Sequence, residues 1–231
     1  MFFGSVEKPP RLSEFELEVP EKLIAQDPLE KRDECRLMVL NKKNQTIEHR
    51  KFKDIVDYFD KGDVLVMNNT RVYPARLYAN KDKSEARVEV FLLRELADDL
   101  WEAMVKPARK VRIGNKLWFS DTISCDVIDN TVSGGRVLRF ESDAESLYPF
   151  IEQSGHSPLP PYIDRESRPD DKTYYQTVYA SERGSVAAPT AGLHFSENLL
   201  KKIEKKGVSI VYVTLHIGLG TFRPIMVEDL T

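Results

Sequence analysis

The segment from Arg183 to Pro224 predicts a strand–helix–strand unit, and no other part of the sequence restricts the fold as strongly. A short apolar run, Ser185–Ala188, predicts the first strand. The predicted helix begins after Ser196, whose hydroxyl can cap its N-terminus, and ends at Gly207, which can adopt the left-handed closing conformation. Val208–Leu215 is nearly continuously apolar and rich in β-branched residues, which is typical of a parallel strand covered on both faces. The sequence therefore predicts an α/β fold with a parallel sheet.

A polar loop with one histidine follows each predicted strand. The first loop reads PTAGLHF and carries His194, and the second reads LHIGLGTFRP and carries His216. Because ligands of parallel α/β folds bind at the carboxyl ends of the strands, we expect both loops to lie at one ligand-binding edge. Histidine can transfer protons near neutral pH, although each histidine here can equally cap a strand end and bond the backbone. The other loop groups that can contact a ligand are Thr190, Gly192, Gly218, Gly220, Thr221 and Arg223.

Short, closely spaced strands are predicted between Val72 and Glu141. The run Arg87–Val90 alternates polar and apolar residues, as a half-buried antiparallel strand does. This series of short strands predicts a small antiparallel β-barrel at residues 72–142, inserted into an α/β domain formed by residues 1–71 and 143–231. The predicted barrel strands are Ala86–Leu93, Leu100–Val105, Lys116–Phe119, Ser124–Ile128 and Arg136–Glu141.

Three further segments carry residues that could bind a ligand. The long loop Gly155–Ala180 is rich in proline and tyrosine, which favours an ordered loop whose aromatic faces can stack on bases. The basic run KPARKVR is either a solvated loop or a phosphate-contacting patch. The run Asn68–Arg71 follows a buried strand, and the residue types alone favour a turn that leads into the inserted barrel over a ligand-contacting loop.

Composition and missing motifs narrow the function classes. The formal net charge is −3, so a nucleic acid would have to use a local basic patch. No apolar run approaches the length of a membrane span, and the N-terminus lacks the pattern of a secretory signal. The two cysteines, Cys35 and Cys125, lack metal-ligand spacing and fit two buried small side chains in a reducing cytoplasm. No metal site is expected. A further alternative, an unrelated small-molecule hydrolase that uses the two histidines, is disfavoured because the sequence has no nucleophile motif.

Seven motifs, in order and at natural spacing, resemble one known family. They are AQDPLEKRDECRLMVLN, VMNNTRVYPARL, KPARK, GHSPLPPYI, YYQTVYA, APTAGLHF and VTLHIGLGTFRP, and they run from about Phe15 to Pro224. Together they resemble the S-adenosylmethionine:tRNA ribosyltransferase-isomerases of queuosine synthesis. The resemblance implies a barrel-like α/β main domain with an inserted small β-barrel, which agrees with the change in texture at Val72. Cys35 occupies a position where the family often has Ser.

The resemblance also implies a reaction. The family transfers the ribosyl part of S-adenosylmethionine onto 7-aminomethyl-7-deazaguanine at the wobble position of tRNA with a GUN anticodon, and rearranges it to an epoxycyclopentane. Adenine and methionine leave, and no metal is expected. The sulfonium acidifies the C5′ protons and adenine must leave protonated, so a base and an acid are required. We expect His194 and His216 to share these two roles in either order.

The remaining expected site residues follow from the same resemblance. With Thr190, the two histidines make the expected catalytic set. Cosubstrate contacts are expected from Pro189, Gly192, Gly218, Gly220, Thr221, Arg223, Asn69, Thr70 and Arg71, with Arg223 on the methionine carboxylate. RNA contacts are expected from Lys106, Arg109, Lys110, Tyr162 and Tyr175. A cytoplasmic protein is expected, with no membrane partner and with a monomer favoured.

Family members continue well past the GTFRP motif, whereas this chain stops at Thr231. An open apolar sheet edge is therefore expected. The alternative function is a catalytically incomplete remnant that binds RNA or a nucleotide, and adenine release separates the two.

Overall fold

A computed structural model describes residues 9–84, 86–142, 144–222 and 225–230. The described residues form strands, α-helices and short 3-10 helices. The strands are β1 (Arg36–Asn41), β2 (Thr46–Lys51), β3 (Val64–Asn68), β4 (Thr70–Val72), β5 (Arg76–Lys81), β6 (Arg87–Ala97), β7 (Leu100–Lys106), β8 (Lys116–Trp118), β9 (Ser124–Asn130), β10 (Arg136–Phe140), β11 (Glu182–Ser185) and β12 (Ser209–Val213). The α-helices are α1 (Ala144–Ser154), α2 (Asp171–Tyr174) and α3 (Glu197–Lys205). The 3-10 helices are Leu12–Phe15, Glu21–Leu23, Arg32–Glu34, Phe52–Tyr58, Ala108–Lys110, Thr190–His194 and Leu219–Phe222.

Strands β5 to β10 close into an antiparallel barrel, which confirms the predicted β-barrel. Their order around the barrel is β10-β7-β6-β5-β8-β9. Alternate residues of β7, namely Trp101, Ala103 and Val105, point inward and are buried, as the period of two requires. All five predicted barrel strands form, but β5 was missed because its residues follow a turn-rich stretch without clear alternation.

The barrel core continues into the α/β part of the chain. Leu147 and Ile151 of α1 and Val186, just after β11, belong to the same buried cluster as the barrel interior. A close backbone contact reinforces this junction. Arg76 and His156 exchange two backbone hydrogen bonds, with N···O distances of 3.2 and 2.8 Å. Gly155 lies so close to Pro74 that a Cβ atom at position 155 would stand 2.0 Å from the Pro74 carbonyl oxygen.

Two pairs of parallel strands form the α/β part. β12 pairs with β3 and β11 pairs with β4, so the chain of β3 and β4, interrupted at Asn69, meets both strands of the predicted strand–helix–strand unit. Parallel pairing is as predicted, but the first strand is Glu182–Ser185 and not Ser185–Ala188. Beyond Ser185 the chain leaves the ladder, because the Val186 amide donates to the carbonyl of Ile217 in the second polar loop.

Helix α3 forms for the predicted reasons. The Ser196 hydroxyl accepts a hydrogen bond from the Leu199 amide at 3.1 Å and caps the helix. Gly207 closes it with φ +92°, a conformation that glycine adopts without steric cost. Its apolar stripe is buried in a second core with Phe52 and Met67, and that stripe consists of Leu199, Leu200 and Ile203.

The β3–β12 sheet is covered on one face only, which corrects the prediction of a strand covered on both faces. Leu65 and Met67 of β3 lie on the face that packs against the second core. On the other face the described residues leave Val66 57% and Val211 42% exposed. Helix α3 and the 3-10 helix Phe52–Tyr58 both pack on the inner face. Within the described ranges, no helix combines the length and apolar character needed to cross a membrane.

Candidate active site

Three cavities are lined in part by the loops that follow β11 and β12. The first, the central cavity, has a volume of about 810 Å³. Its walls are mostly apolar, with two threonine hydroxyls contributed by Thr190 and Thr221. Ala187 and Ala188, predicted as part of a strand, line it instead. Its other lining residues are Pro158, Pro160, Pro161, Tyr162, Tyr175, Pro189, Ala191 and Ile217.

The second, the tyrosine cavity, has a volume of about 560 Å³ and contains His194. It shares Thr190, Tyr162 and Tyr175 with the central cavity, so these three residues form the wall between the two. Its charged lining residues include Arg36 and Lys51 of the β1–β2 hairpin and also two carboxylates, those of Asp27 and Glu34. The remaining lining residues are Ala25, Gln26, Pro28, Leu29, Arg32, Cys35, Ile163, Tyr174 and Leu193.

The third, the barrel cleft, has a volume of about 380 Å³ and contains His216. The barrel contributes Leu93, Arg94, Glu102 and Ser133, and the second polar loop contributes Gly218, Leu219 and Gly220, with Gly184 beneath. The loop is the wall between cleft and central cavity, since Ile217 and Thr221 line the central cavity while the residues between them line the cleft. The two histidines therefore flank the central cavity through different walls and do not share one cavity.

His194 is half-buried beside a thiol and an aromatic ring. Its Nδ1 atom is 2.9 Å from the Cys35 Sγ atom, and its ring centroid is 5.1 Å from that of Phe52. Burial lowers the pKa of His194, and burial raises the pKa of the Cys35 thiol. The pair is therefore a neutral imidazole and a protonated thiol at neutral pH, and His194 is able to accept a proton. Cys125 is buried as predicted, whereas Cys35 is only half-buried.

His216 is anchored by buried hydroxyl groups. Its Nδ1 atom is 2.8 Å from Thr70 Oγ1, which is 2.7 Å from Ser185 Oγ. The ring lies against Gly184, where a Cβ atom would stand 2.6 to 2.7 Å from three ring atoms. This side of the imidazole is fixed, while the residue as a whole remains exposed and lines the barrel cleft.

The three expected cosubstrate residues that follow β3 have other partners. The Asn69 side-chain amide donates to the Ser181 hydroxyl at 3.0 Å and accepts from Thr214 at 2.7 Å. Thr70 is fully buried, and Arg71 lies 4.0 Å from a carboxylate oxygen of Glu152. None of the three lines any of the cavities described above. The Asn68 side chain accepts from the Thr70 amide at 3.1 Å, which is the turn that the residue types favour.

Other expected site residues are dispersed. Pro189, Thr190 and Thr221 line the central cavity, and Gly218 and Gly220 line the barrel cleft. Gly192 is buried away from them, because a Cβ atom there would stand 2.1 Å from the Tyr179 hydroxyl. The basic residues expected to contact RNA are exposed at the end of β7 and on the turn after it, outside these cavities. Arg223 lies outside the described residues. The exposed basic residues are Lys106, Arg109 and Lys110.

Arg32 connects two walls of the tyrosine cavity, and its sequence context gave no sign of this role. Its guanidinium donates to the carbonyl oxygens of Thr173, Gln176 and Leu193 at 3.3, 2.9 and 3.3 Å. It therefore ties the tyrosine-bearing loop to the turn that carries His194. Within the described residues, no group of three or more His, Cys, Asp or Glu side chains is arranged to hold a metal ion.

A buried ion pair orders the loop that supplies the tyrosines. The Arg165 guanidinium donates two hydrogen bonds of 2.8 Å to the two carboxylate oxygens of Asp171, which is 2% exposed. The Arg168 amide donates to the same carboxylate at 2.7 Å. The Arg165 hydrogen bonds hold the pKa of Asp171 below its ordinary value, despite burial. The loop is thus ordered, as its composition predicts.

We expect Asp171→Asn to lower the free energy of unfolding by about 2 kcal/mol at neutral pH, because charge-assisted hydrogen bonds are lost. A carboxylate whose folded pKa is lowered stabilises the protein above its unfolded pKa, near 3.8, and this contribution disappears as pH falls through the folded value. Urea unfolding at several pH values should therefore show a difference from wild type that shrinks below about pH 4.

Asp170→Asn is the matched control, since Asp170 is exposed and its side chain makes no capping hydrogen bond. Equal stability of the two variants across this pH range would contradict a structural role for the pair.

Comparisons with known proteins converge on one group. The family described as "Queuosine biosynthesis protein" matches residues 12–231. The S-adenosylmethionine:tRNA ribosyltransferase-isomerase of Flavobacterium psychrophilum is 56% identical over 227 residues, and that of Cytophaga hutchinsonii is 52% identical over 226. Each alignment covers 96% of this chain and 65% of the relative, so the chain spans somewhat less than two thirds of these relatives' length.

One solved structure is also similar. The crystal structure of S-adenosylmethionine tRNA ribosyltransferase from Thermotoga maritima shares 35% sequence identity. The superposition covers 88% of this chain and 58% of the Thermotoga maritima chain, with a TM-score of 0.36.

Proposed function

This chain belongs to the queuosine biosynthesis protein family, and from that premise we propose that it acts as an S-adenosylmethionine:tRNA ribosyltransferase-isomerase. The proposed reaction transfers the ribosyl group of S-adenosylmethionine to 7-aminomethyl-7-deazaguanine at the wobble position of a tRNA with a GUN anticodon. The transferred group isomerises, adenine and methionine leave, and epoxyqueuosine tRNA results. The proposal is supported above all by 56% identity, over 96% of the chain, to a protein of that name.

We assign S-adenosylmethionine to the central cavity. Its volume of about 810 Å³ falls within the range of about 300–1,000 Å³ that is usual for small-molecule sites. Proline and alanine walls suit the apolar faces of an adenosyl group, and the hydroxyls of Thr190 and Thr221 can supply directional hydrogen bonds. The contact of Arg223 with the methionine carboxylate stays a sequence-based prediction.

We assign the modified base to the tyrosine cavity. A base extruded from the anticodon loop would find the faces of Tyr162, Tyr174 and Tyr175 available for stacking. Arg36 and Lys51 at the rim suit the phosphates on either side of that base. For transfer to occur, the aminomethyl nitrogen of the base would have to pass the wall that contains Thr190 and reach the ribosyl group in the central cavity. Lys106, Arg109 and Lys110, which lie elsewhere, would contact more distant phosphates.

The environments of the two histidines suggest a division of labour. His194 is uncharged at neutral pH and lies beside the shared wall, so we assign it the removal of the acidified C5′ proton. The acid role then falls to His216, which would have to start as the imidazolium and to bring Nε2–H past the Ile217–Thr221 loop, within hydrogen-bond reach of the departing adenine. One proton is taken up by His194 and one is released by His216, so the enzyme keeps its total number of protons through these two steps.

The domain division and cellular location are part of the proposal. Residues 72–142 would form one domain around the closed barrel, and residues 1–71 and 143–231 would form a barrel-like α/β domain, which the two parallel strand pairs support. A monomer in the cytoplasm is the favoured state, and the two unpaired cysteines fit the reducing conditions of that compartment. The alternative is a catalytically incomplete form that binds RNA or a nucleotide, in line with the chain's 65% coverage of its relatives.

Adenine release, measured by chromatography, tests the proposal. The chain is mixed with S-adenosylmethionine and an anticodon stem-loop RNA that carries the aminomethyl-deazaguanine, with an unmodified stem-loop as control. Adenine that appears only with the modified RNA is the expected result. The longer Flavobacterium psychrophilum relative serves as a parallel reaction. Release by the relative but not by this chain, together with S-adenosylmethionine binding in equilibrium dialysis, would favour the alternative.

A further inference from the structure

We infer that Thr70 and Ser185 form a two-hydroxyl relay that fixes His216 in one tautomer, with Nδ1 as hydrogen-bond acceptor and the proton on Nε2. Both are positioning residues that act through the histidine. The assignment of a tautomer stands on the geometry alone, whereas its importance for turnover rests on the proposed function.

The relay is a continuous chain of short contacts. The Ile217 amide donates to Ser185 Oγ at 2.7 Å, Ser185 Oγ is 2.7 Å from Thr70 Oγ1, and Thr70 Oγ1 is 2.8 Å from Nδ1 of His216. Thr70 and Ser185 have no exposed surface. Water is therefore excluded from the two hydroxyls, and their protons must be satisfied by protein groups.

The direction of the relay follows from counting protons. Each hydroxyl has one proton to donate, and the Ile217 amide already makes Ser185 Oγ an acceptor. If Ser185 donates to Thr70 and Thr70 donates to Nδ1, both protons are used. In the opposite direction Nδ1–H would donate to Thr70 and Thr70 to Ser185, and the Ser185 proton would have no acceptor among the described residues. Leaving a buried donor unsatisfied is costly, so the first direction is favoured.

The fold supplies the relay from positions far apart in the chain. Thr70 begins β4 and Ser185 ends β11, and these strands pair in parallel. Gly184, next to Ser185, leaves the space in which the His216 ring lies, because a side chain there would overlap three of its atoms. The backbone of Ile217 returns to Ser185 and closes the arrangement.

The consequence is chemical. A neutral His216 with Nδ1 occupied presents an N–H group to the barrel cleft, and among the described residues none bonds to Nε2. In this neutral form Nε2 can donate a hydrogen bond but cannot accept a proton, which does not suit the base role. Transfer of a proton from Nε2 requires the imidazolium form of His216. Without the relay, neutral His216 would populate both tautomers, and a fraction would present a bare nitrogen instead.

Nitrogen-15 NMR of the substrate-free chain tests the tautomer directly. Long-range ¹H–¹⁵N spectra of the four histidines distinguish a protonated from a bare ring nitrogen, and His216→Gln identifies the signals by their loss. We expect the wild type to show Nε2–H alone. We expect Thr70→Ser, which keeps the hydroxyl, to do the same, and the nearly isosteric Thr70→Val to show a mixture. Nδ1–H in the wild type, or an unchanged tautomer in Thr70→Val, would overturn the inference.

Two additions keep the test decisive. Unchanged signals from His49 and His156 show that a variant retains its fold, and Ser185→Ala provides a second break in the relay if Thr70→Val does not fold. Where the chain releases adenine, Thr70→Val should slow release by about 10-fold or more while Thr70→Ser stays near wild type. Absence of release in every variant would count against the proposed function and leave the tautomer result standing.

Discussion

Gly155→Ala is expected to lower the free energy of unfolding by about 4 kcal/mol or more, a large fraction of the roughly 5–15 kcal/mol that is typical of a whole domain. The added methyl group would stand 2.0 Å from the Pro74 carbonyl oxygen and 2.5 Å from that of Ile151. Both obstacles are backbone atoms, so no rotamer change relieves them. The strain would fall on the junction where Arg76 and His156 exchange hydrogen bonds and where α1 meets the barrel core. Thermal unfolding followed by circular dichroism measures the loss.

Gly220→Ala is the matched control for this effect. It makes the same chemical change at a position where a Cβ atom would meet nothing within 4 Å. Its melting temperature should stay within a few degrees of wild type. A Gly155→Ala protein that melts together with this control would mean that the two backbone segments are not in the close contact described.

His194→Gln and His216→Gln are each expected to slow adenine release by about 100-fold or more, the usual contribution of one general acid or base. Glutamine keeps a polar group of similar length but cannot transfer protons. The pH dependence of the rate gives a second expected result. Because burial lowers the pKa of His194, the base stays uncharged to lower pH, and the acid limb of the rate profile should lie below the ordinary histidine value of about 6.5. The His194 variant should lose that limb.

His49→Gln is the control for both variants. His49 is exposed on β2 and lines none of the three cavities assigned to the reaction. Near-normal turnover in both test variants, in chains that are folded and active, would remove histidine from the acid and base roles. A loss in only one variant would reassign the other role to a different group.

Local sequence patterns predicted much of the fold. The alternation in the barrel strands and the cap residues of α3 are short-range signals, and the structure bears them out because the same residues also bury the apolar face. The turn at Asn68 was also predictable, since an asparagine side chain readily accepts a hydrogen bond from a backbone amide two residues later. The position of β11 could not be predicted in this way, because Val186 and the two alanines after it are apolar without being part of the strand. Val186 packs in the core and the alanines line the central cavity.

The site was less predictable because its contacts join distant residues. Thr70 and His216 are separated by 146 positions, and Cys35 and His194 by 159, so no spacing rule connects either pair. The sequence placed both histidines at one sheet edge, but it could not show that a loop wall separates them. Ser185 was predicted only as the first residue of a strand, and Gly184 carried no local signal, since glycine and serine are common at the end of any strand.

The shared wall of Thr190, Tyr162 and Tyr175 has a thermodynamic consequence. A ligand that moves one of these side chains from the central cavity also reshapes the tyrosine cavity, because the same atoms bound both spaces. The occupancies of the two cavities are then coupled. Linkage requires that each ligand change the affinity for the other by the same factor, whichever binds first. Which ligand binds first therefore depends on the concentrations of the two ligands. The coupling free energy does not depend on them, because it is a property of the three-residue wall.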